Sequence, residues 1–300
     1  MIERYLTLFG KSETIKFLDF NETPPPKWIR VNTLKINPKD LKSRLRKKGF
    51  SLKESEWLPY AFKVQKEPLS IGSTHEYLQG YYYIQDIASM LPAHFLNPNS
   101  KDLVVDMAAA PGGKATHLAQ IMKNLGSLVL IDRNKKRIPA LKINIRRMGV
   151  HNSIILNMDS KNIQKLGIYA DMILLDAPCT GEGLIRQDPS RKKSKKLADI
   201  LNMSKIQKNL LGSGLDTLKK NGLLLYSTCS IAPEENEFII NDVLKKRKSI
   251  KIIPLEENLG ISGFTRVYGN DLNEDLKHSQ RFYPHKHDTI GFFICLLKKI

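Results

Sequence analysis

Three hundred residues with 48 Lys and Arg against 30 Asp and Glu give a formal net charge of +18 and a pI near 9.7, a balance that favours a polyanion, nucleic acid first and an acidic membrane surface second. Three cysteines are too few, and odd in number, for a secreted disulfide framework. No apolar run approaches a bilayer span and the N-terminus lacks a signal pattern, so a cytoplasmic protein with one α/β domain and a smaller partner domain is expected.

The spacing predicts a short amphipathic helix over Ile2 to Phe20, stopped by Thr23-Pro-Pro-Pro26. Trp28-Ile-Arg-Val-Asn32 alternates as a strand does. Asn37-Pro38 then opens a basic helix, Asp40 to Lys48, closed by Gly49, and strand-like pieces follow near Phe50 to Leu52 and Ala61 to Val64. Residues 1–75 therefore read as a small α+β domain whose basic helix suits RNA docking, or else as a structural cap with a solvated charged face. The aromatic stretch from His75 to Asp86, with Tyr81 to Tyr83 at its centre, offers rings that could stack on unpaired bases or pack between domains. It leads into a helix near Ile87 to Phe95.

From Leu103 short apolar strands alternate with helices, the pattern of a doubly wound parallel sheet over residues 76–300. The strands are expected at Leu103 to Asp106, Ser127 to Ile131, Ser153 to Leu156, Met172 to Asp176 and Gly222 to Ser227, with a final one at Thr289 to Leu297. Cys295, inside the last, reads as a small buried hydrophobe.

Ligands of such sheets bind beyond the carboxyl ends of the strands. The first end reads Asp106-Met-Ala-Ala-Ala-Pro-Gly-Gly-Lys114, where small residues let backbone approach a ligand and a helix begins near Lys114. It is neither a Walker A loop nor the dinucleotide fingerprint. Asp132 ends the second strand, where an acid commonly holds ribose hydroxyls; Asp159 follows the third and Asp176 the fourth. Singly each could be a helix cap; together they describe a nucleoside pocket without strong demand for phosphate, which S-adenosylmethionine fits. Two further strand ends each deliver a thiol, Cys179 after Asp176-Ala-Pro and Cys229 after Tyr226-Ser-Thr, with a helix expected to start at Pro233.

These motifs, with Pro233-Glu-Glu-Asn-Glu237 and Arg281-Phe-Tyr-Pro-His285, resemble in order those of the NOL1/NOP2/Sun family of RNA cytosine 5-methyltransferases. Lys27-Trp-Ile-Arg-Val-Asn32 looks more weakly like that family's N-terminal RNA-binding region. The resemblance, closest to archaeal-type tRNA enzymes, implies a Rossmann-like S-adenosylmethionine-dependent methyltransferase domain with a small N-terminal α+β RNA-binding domain. It implies that Ala108, Ala109, Ala110, Pro111, Gly112, Gly113 and Lys114 hold the methionine part of the cofactor, Asp132 and Arg137 the ribose, and Asp159 lies near the adenine. Asp176 would stand where cofactor and target base meet and support protonation of the cytosine ring. Cys229 would attack carbon 6 of the base, since that carbon accepts a thiolate and so activates carbon 5, while Cys179 would assist product release. A thiol is only partly ionised at neutral pH, so Lys114 or the helix near Pro233 is expected to favour the thiolate, with Glu234 and Glu235 opposing.

The expected partner is RNA, tRNA before rRNA, reached by flipping or by an already unpaired base, with no DNA or membrane partner and a monomeric enzyme. The basic run Arg191-Lys-Lys-Ser-Lys-Lys196 reads as a loop that meets phosphates or as a solvated surface loop. His285, His287 and Cys295 lack a fourth ligand at metal spacing, so no metal is expected. A non-catalytic RNA-binding assembly factor remains the reading from a different class.

Overall fold

Pro24 to Pro26 cannot continue a helix, and they separate α1 (Ile2–Phe20), kinked at Gly10, from the strand that follows. A computed structural model of the chain describes residues 2–194 and 196–300; Lys195, part of the basic run Arg191 to Lys196, lies outside the described residues. The chain divides into two units, Pro26–Ser160 and Met1–Pro25 joined with Lys161–Ile300.

The first unit opens with β1 (Lys27–Val31), α2 (Pro38–Lys47), β2 (Ser51–Glu54) and β3 (Ala61–Lys66), then the one-turn α3 (His75–Leu78) and β4 (Tyr82–Ile84). The four strands form an antiparallel sheet ordered β2-β3-β1-β4, so it runs past residue 75 into the tyrosine stretch. Alternation along β1 sends Ile29 and Val31 to one face, and the helical spacing of Leu41 and Leu45 puts α2 on it. Phe50, Phe62 and Tyr82 complete this core. The N-cap of α2 is Asn37, whose side chain accepts from the Lys39 N–H, with Pro38 in the first turn.

After α4 (Ile87–Leu96) the same unit continues as β5 (Leu103–Asp106), α5 (Gly113–Ile121), β6 (Ser127–Ile131), α6 (Ile138–Met148) and β7 (Ser153–Leu156), with β5, β6 and β7 parallel and adjacent. Val104, Val105, Leu130 and Ile131 are buried, as expected of strands covered on both faces.

In the second unit β8 (Ala170–Asp176) runs parallel to β9 (Leu218–Thr228), with α7 (Arg191–Ser194) and α8 (Leu197–Thr217) between them in sequence. Then come α9 (Glu237–Lys246), β10 (Ile250–Ile253), β11 (Ile261–Ser262), β12 (Arg266–Val267), β13 (Asn270–Asp271), β14 (Gln280–Phe282), α10 (Pro284–His287) and β15 (Phe292–Lys299). The wholly parallel expectation fails here. The link from β14 to β15 holds only the one-turn α10, too short for a crossover, so β15 pairs antiparallel with β14 and also with β9 and β10. Cys295 is buried on β15, opposite Tyr226. His285 packs edge-on against Phe17, and the His287 Nδ1 accepts from the Tyr283 N–H, so both belong to the packing of α10. Among the described residues no helix is long and apolar enough to cross a membrane.

Candidate active site

In the first unit the loop after β5 is built around one carboxylate. Asp132, 4% exposed at the end of β6, accepts from the Ala110 N–H at 3.1 Å through one oxygen and from the Asn134 N–H at 2.8 Å through the other. The Ala109 N–H donates to the Ile131 carbonyl, and the Asp106 carboxylate accepts from the Ala108 N–H at 3.1 Å. Arg137 stands 3.4 Å from Asp132 and donates to the Ala110 carbonyl. Gly112, at φ 110° in the left-handed region, turns the chain into α5, and a Cβ there would stand 3.2 Å from Leu141 Cδ1. Ala108, Gly113 and Lys114 are half-buried and Pro111 is exposed. Asp159 is half-buried directly after β7, and its neighbour Ser160 donates to the Met107 carbonyl, tying that loop to the first.

This donor set suits a nucleoside better than a phosphate. A buried carboxylate whose oxygens each accept one backbone hydrogen bond keeps acceptor sites for ribose hydroxyls, and would repel an anion. The residues therefore fit S-adenosylmethionine.

Arg30 and Asn32, in the segment that resembles an RNA-binding region, are both buried. Arg30 is fully buried and donates to the Gly113 carbonyl at 2.5 Å, Gln85 Oε1 at 3.0 Å and Thr116 Oγ1 at 2.7 Å. Burial lowers its pKa to about 10, so the guanidinium stays charged. Asn32 donates to the Gly80 and Met148 carbonyls. Arg30 thus braces the start of α5, and Asn32 ties the turn at Gly80 to the end of α6. Tyr82 is buried as well, its hydroxyl donating to the Ile71 carbonyl.

In the second unit β8 and β9 lie side by side, Asp176 opposite Ser227, so their ends bring two loops together. The sulfurs of Cys179 and Cys229 are 3.1 Å apart. The adjoining Cys229 sulfur, with burial, pushes the Cys179 thiol well above its ordinary pKa. Either sulfur can donate a hydrogen bond to the other. Asp176 accepts from Ser227 Oγ at 2.8 Å.

The thiol loops are held by residues remote in sequence. Glu235, fully buried, accepts from the Thr180 N–H at 2.8 Å, Thr180 Oγ1 at 2.6 Å and Gln207 Nε2 at 3.1 Å; Gln207 also donates to the Pro178 carbonyl. The Glu235 carbonyl accepts from the Tyr226 hydroxyl, so one residue fastens the Cys179 loop to the strand that carries Cys229. Thr228 Oγ1 meets Asn236 Oδ1 at 2.6 Å, and Asn236 Nδ2 donates to the Ser230 carbonyl. These commitments correct the expected helix start. Pro233–Glu235 is a single 3-10 turn, Asn236 sits at φ −123° and ψ −99°, and α9 begins only at Glu237.

Two glycines complete the frame. The Gly183 N–H donates to the Cys229 carbonyl and its carbonyl accepts from Gly291; a Cβ on Gly183 would stand 2.1 Å from the Gly291 oxygen, so only glycine permits this approach. Arg281, fully buried, pairs with both oxygens of Glu237 at 2.7 and 3.0 Å and donates twice to the Ile231 carbonyl. Tyr5 and Arg4 of α1 both reach Glu182 Oε1, at 3.1 and 3.3 Å. Of the basic run, Arg191 donates to the Thr180 carbonyl at 2.8 Å and Lys192 pairs with Glu22, and α7 stands where a loop was expected. Sequence reasoning missed Gln207, Glu182 and Gly183, and read Asn236 only as a member of the Pro233 to Glu237 motif.

Known proteins match both halves of the chain. The family model for the 16S rRNA methyltransferase RsmB/F matches residues 93–298, and that for the N-terminal domain of RsmF matches residues 1–87. A human 28S rRNA (cytosine(4447)-C(5))-methyltransferase is 40% identical over all of this chain and 37% of its own length. A tRNA (cytosine(72)-C(5))-methyltransferase of Pyrococcus horikoshii is 39% identical over 77% of this chain and 56% of its own. The chain thus spans about half the length of such curated relatives. The crystal structure of a Pyrococcus horikoshii methyltransferase homolog protein superposes with a TM-score of 0.91 at 42% identity, covering 99% of this chain and 94% of that one. NSun6 of the same organism, solved with SFG, gives 0.89 at 29% identity, covering 99% and 97%. The fold is therefore the expected α/β class with a Rossmann-like methyltransferase sheet, and the chain belongs to the RsmB/F, or NOL1/NOP2/Sun, family of RNA cytosine-5-methyltransferase domains.

Proposed function

We propose that the protein methylates carbon 5 of cytosine in RNA with S-adenosylmethionine as cofactor. The observation that carries this reading is the pair of thiols 3.1 Å apart at the ends of two parallel strands. Ala108 to Lys114, Asp132, Arg137 and Asp159 would hold the cofactor, with Asp176 between cofactor and base. When bound, S-adenosylmethionine supplies an electrophilic methyl group on a sulfonium.

The chain's own residues supply the rest. Cys229 as thiolate adds to carbon 6 of the cytosine, and the ring electrons move to carbon 5, which becomes nucleophilic. Asp176 holds the base edge and supports protonation at ring nitrogen 3. After carbon 5 has reacted, a water takes its proton, the C–H electrons re-form the double bond between carbons 5 and 6, and the bond from carbon 6 to sulfur breaks so that Cys229 leaves as thiolate. Cys179, holding a proton beside that sulfur, stabilises the leaving thiolate by hydrogen bonding. Attack is assigned to Cys229 rather than Cys179 because the Thr228-Cys229 motif resembles the one that carries the attacking cysteine in this family, while the Pro178-Cys179 thiol assists release. On RNA containing 5-fluorocytosine the wild type should form an adduct stable to SDS. Cys229→Ala should form none, and Cys179→Ala should accumulate adduct on ordinary RNA. Adduct formed by Cys229→Ala would overturn the assignment.

For the substrate, tRNA is supported by the Pyrococcus relative named above. A second reading, rRNA, is favoured by the longer alignment, 304 residues with the human enzyme against 231 with the tRNA enzyme. Bisulfite mapping of total RNA with and without the protein separates them. The basic α2 is proposed as part of the RNA-binding surface of residues 1–75.

A further inference from the structure

The first unit carries a cleft that the reaction does not use. It lies between α2 and the turn that precedes it, encloses about 460 Å³, and is lined by Lys35, Asn37, Asp40, Ser43, Arg44 and Tyr81. Its volume falls in the range of sites for single small ligands, roughly 300 to 1,000 Å³. Five of the ten residues of α2 are basic, against one acid, Asp40. The exposed Arg44 lies over the Tyr81 ring at 5.6 Å from its centroid, so a flat cation and an aromatic ring already form a stack on which another planar group can lie.

The polar groups converge without cancelling. Lys35 Nζ is fixed by donating to the Gln79 and Arg147 carbonyls at 2.9 and 2.8 Å, which leaves one of its three N–H groups to aim elsewhere. Asn37 spends its oxygen on the Lys39 N–H and keeps its amide protons. Ser43 is exposed on the same wall. A bare anion would be poorly served, because Asp40 lies among the cations. A protein partner would find few apolar anchors, since Ile36 is the one aliphatic side chain of the lining. A ligand that brings a planar ring, a hydrogen-bond-donating edge and one phosphate uses Arg44 and Tyr81, Asp40, and Lys35 with Ser43.

We propose that this cleft is a subsite for one unpaired nucleotide of the RNA, with its base stacked on Arg44 and Tyr81, its edge donating to Asp40, and its phosphate met by Lys35 and Ser43. The proposal rests on reading the chain as an RNA-modifying enzyme. It gives a specific place to an electrostatic attraction that the net charge leaves diffuse.

The test uses the full chain and a fluorescein-labelled, mixed-sequence single-stranded 12-mer oligoribonucleotide, read by anisotropy at several salt concentrations. Arg44→Ala, which removes one half of the stack, should weaken binding roughly 10-fold. Tyr81→Leu, which keeps an apolar side chain against the core, should weaken binding roughly 5- to 100-fold with the slope unchanged. Asp40→Asn should alter the order of affinities for oligo(C), oligo(A) and oligo(U). Lys42→Ala is the control, because Lys42 lies on the same helix outside the cleft and pairs with Glu54.

Equal effects of Arg44→Ala and Lys42→Ala would overturn the subsite in favour of general attraction. Unchanged RNA affinity in Tyr81→Leu would overturn it too, and would point to a protein partner if an acidic protein then competed for the cleft. The two readings fail separately. A wild type that methylates RNA while the cleft variants bind like it sinks the subsite alone; one that never methylates yet shows cleft-dependent binding sinks the function alone.

Discussion

Asp132 and Glu235 perform the same task in the two units. Each is a buried carboxylate that holds a strand-end loop by accepting from its backbone N–H groups. Their reach differs. Asp132 gathers residues from Ala110 to Arg137, between the end of β5 and the start of α6. Glu235 reaches 55 positions back to Thr180 and 28 back to Gln207, while Arg4 and Tyr5 meet Glu182 across 178 and 177. The cofactor-side loops are thus a local construction that can be disturbed piece by piece. The thiol loops exist only once the second unit has folded, so disturbing any of their remote props should be felt at the sulfurs.

The sharpest break should come at Arg281. Its guanidinium and Glu237 form a buried ion pair beside the Ile231 carbonyl. Arg281→Met leaves the Glu237 carboxylate buried without its partner and should cost roughly 3 to 5 kcal/mol in urea denaturation. The double variant Arg281→Met with Glu237→Leu should recover most of that loss, because the unpaired charge is gone. A single variant as stable as the wild type would show that the pair does not hold the loop.

Glu182 gives a slightly smaller effect with a defined pH dependence. Burial, opposed by Arg4 and by the Tyr5 hydroxyl, raises its pKa from 4.5 to about 7, with Glu235 and Glu234 adding to the rise. Below pH 4.5 folded and unfolded chains both carry the proton and burial costs nothing. Between pH 4.5 and 7 the unfolded chain gives up its proton while the folded one keeps it, so stability falls as pH rises. Above pH 7 the loss is complete, roughly 3 kcal/mol. Glu182→Gln should flatten this slope and be the more stable protein at pH 8. Subtracting the variant's profile from the wild type's removes the contributions of His285 and His287, which titrate nearby. A difference profile flat from pH 4.5 to 7 would contradict the assignment.

What could be read from residues alone follows the same division. Elements whose causes are local were legible: the Pro38 start and Gly49 stop of α2, the apolar strands β5 to β9, the Asp132 position at a strand end. The thiol motifs were legible as motifs. Hidden were the causes that act across the fold. Nothing in the spacing of Pro233-Glu-Glu-Asn-Glu237 shows that Glu235 and Asn236 face inward and interrupt the helix, since a helical reading leaves such residues in water. The role of Arg30 was hidden for a related reason. Its segment was read only by resemblance, whereas its partners, Gly113 and Thr116, lie 83 and 86 positions further on.

Glu235 and Asp132 can be set against each other directly. Glu235→Ala deprives the Thr180 N–H, its hydroxyl and Gln207 of their acceptor inside the protein, and the Cys179 loop should drift from Cys229. We expect turnover with saturating RNA and cofactor to fall roughly 30-fold, equivalent to about 2 kcal/mol, with cofactor affinity unchanged. Asp132→Asn should do the reverse. The amide oxygen can still accept one of the two backbone hydrogen bonds, so the loop persists. The charge that suits ribose hydroxyls and the Arg137 guanidinium is lost, and calorimetric affinity for S-adenosylmethionine should fall roughly 10-fold, about 1.4 kcal/mol. The alkylation rate of Cys229 by iodoacetamide should not change in Asp132→Asn, whereas Glu235→Ala should alter it. If Asp132→Asn changes thiol reactivity as much as Glu235→Ala does, the two carboxylates do not serve separate loops, and the division between a local cofactor side and a remotely propped thiol side is wrong.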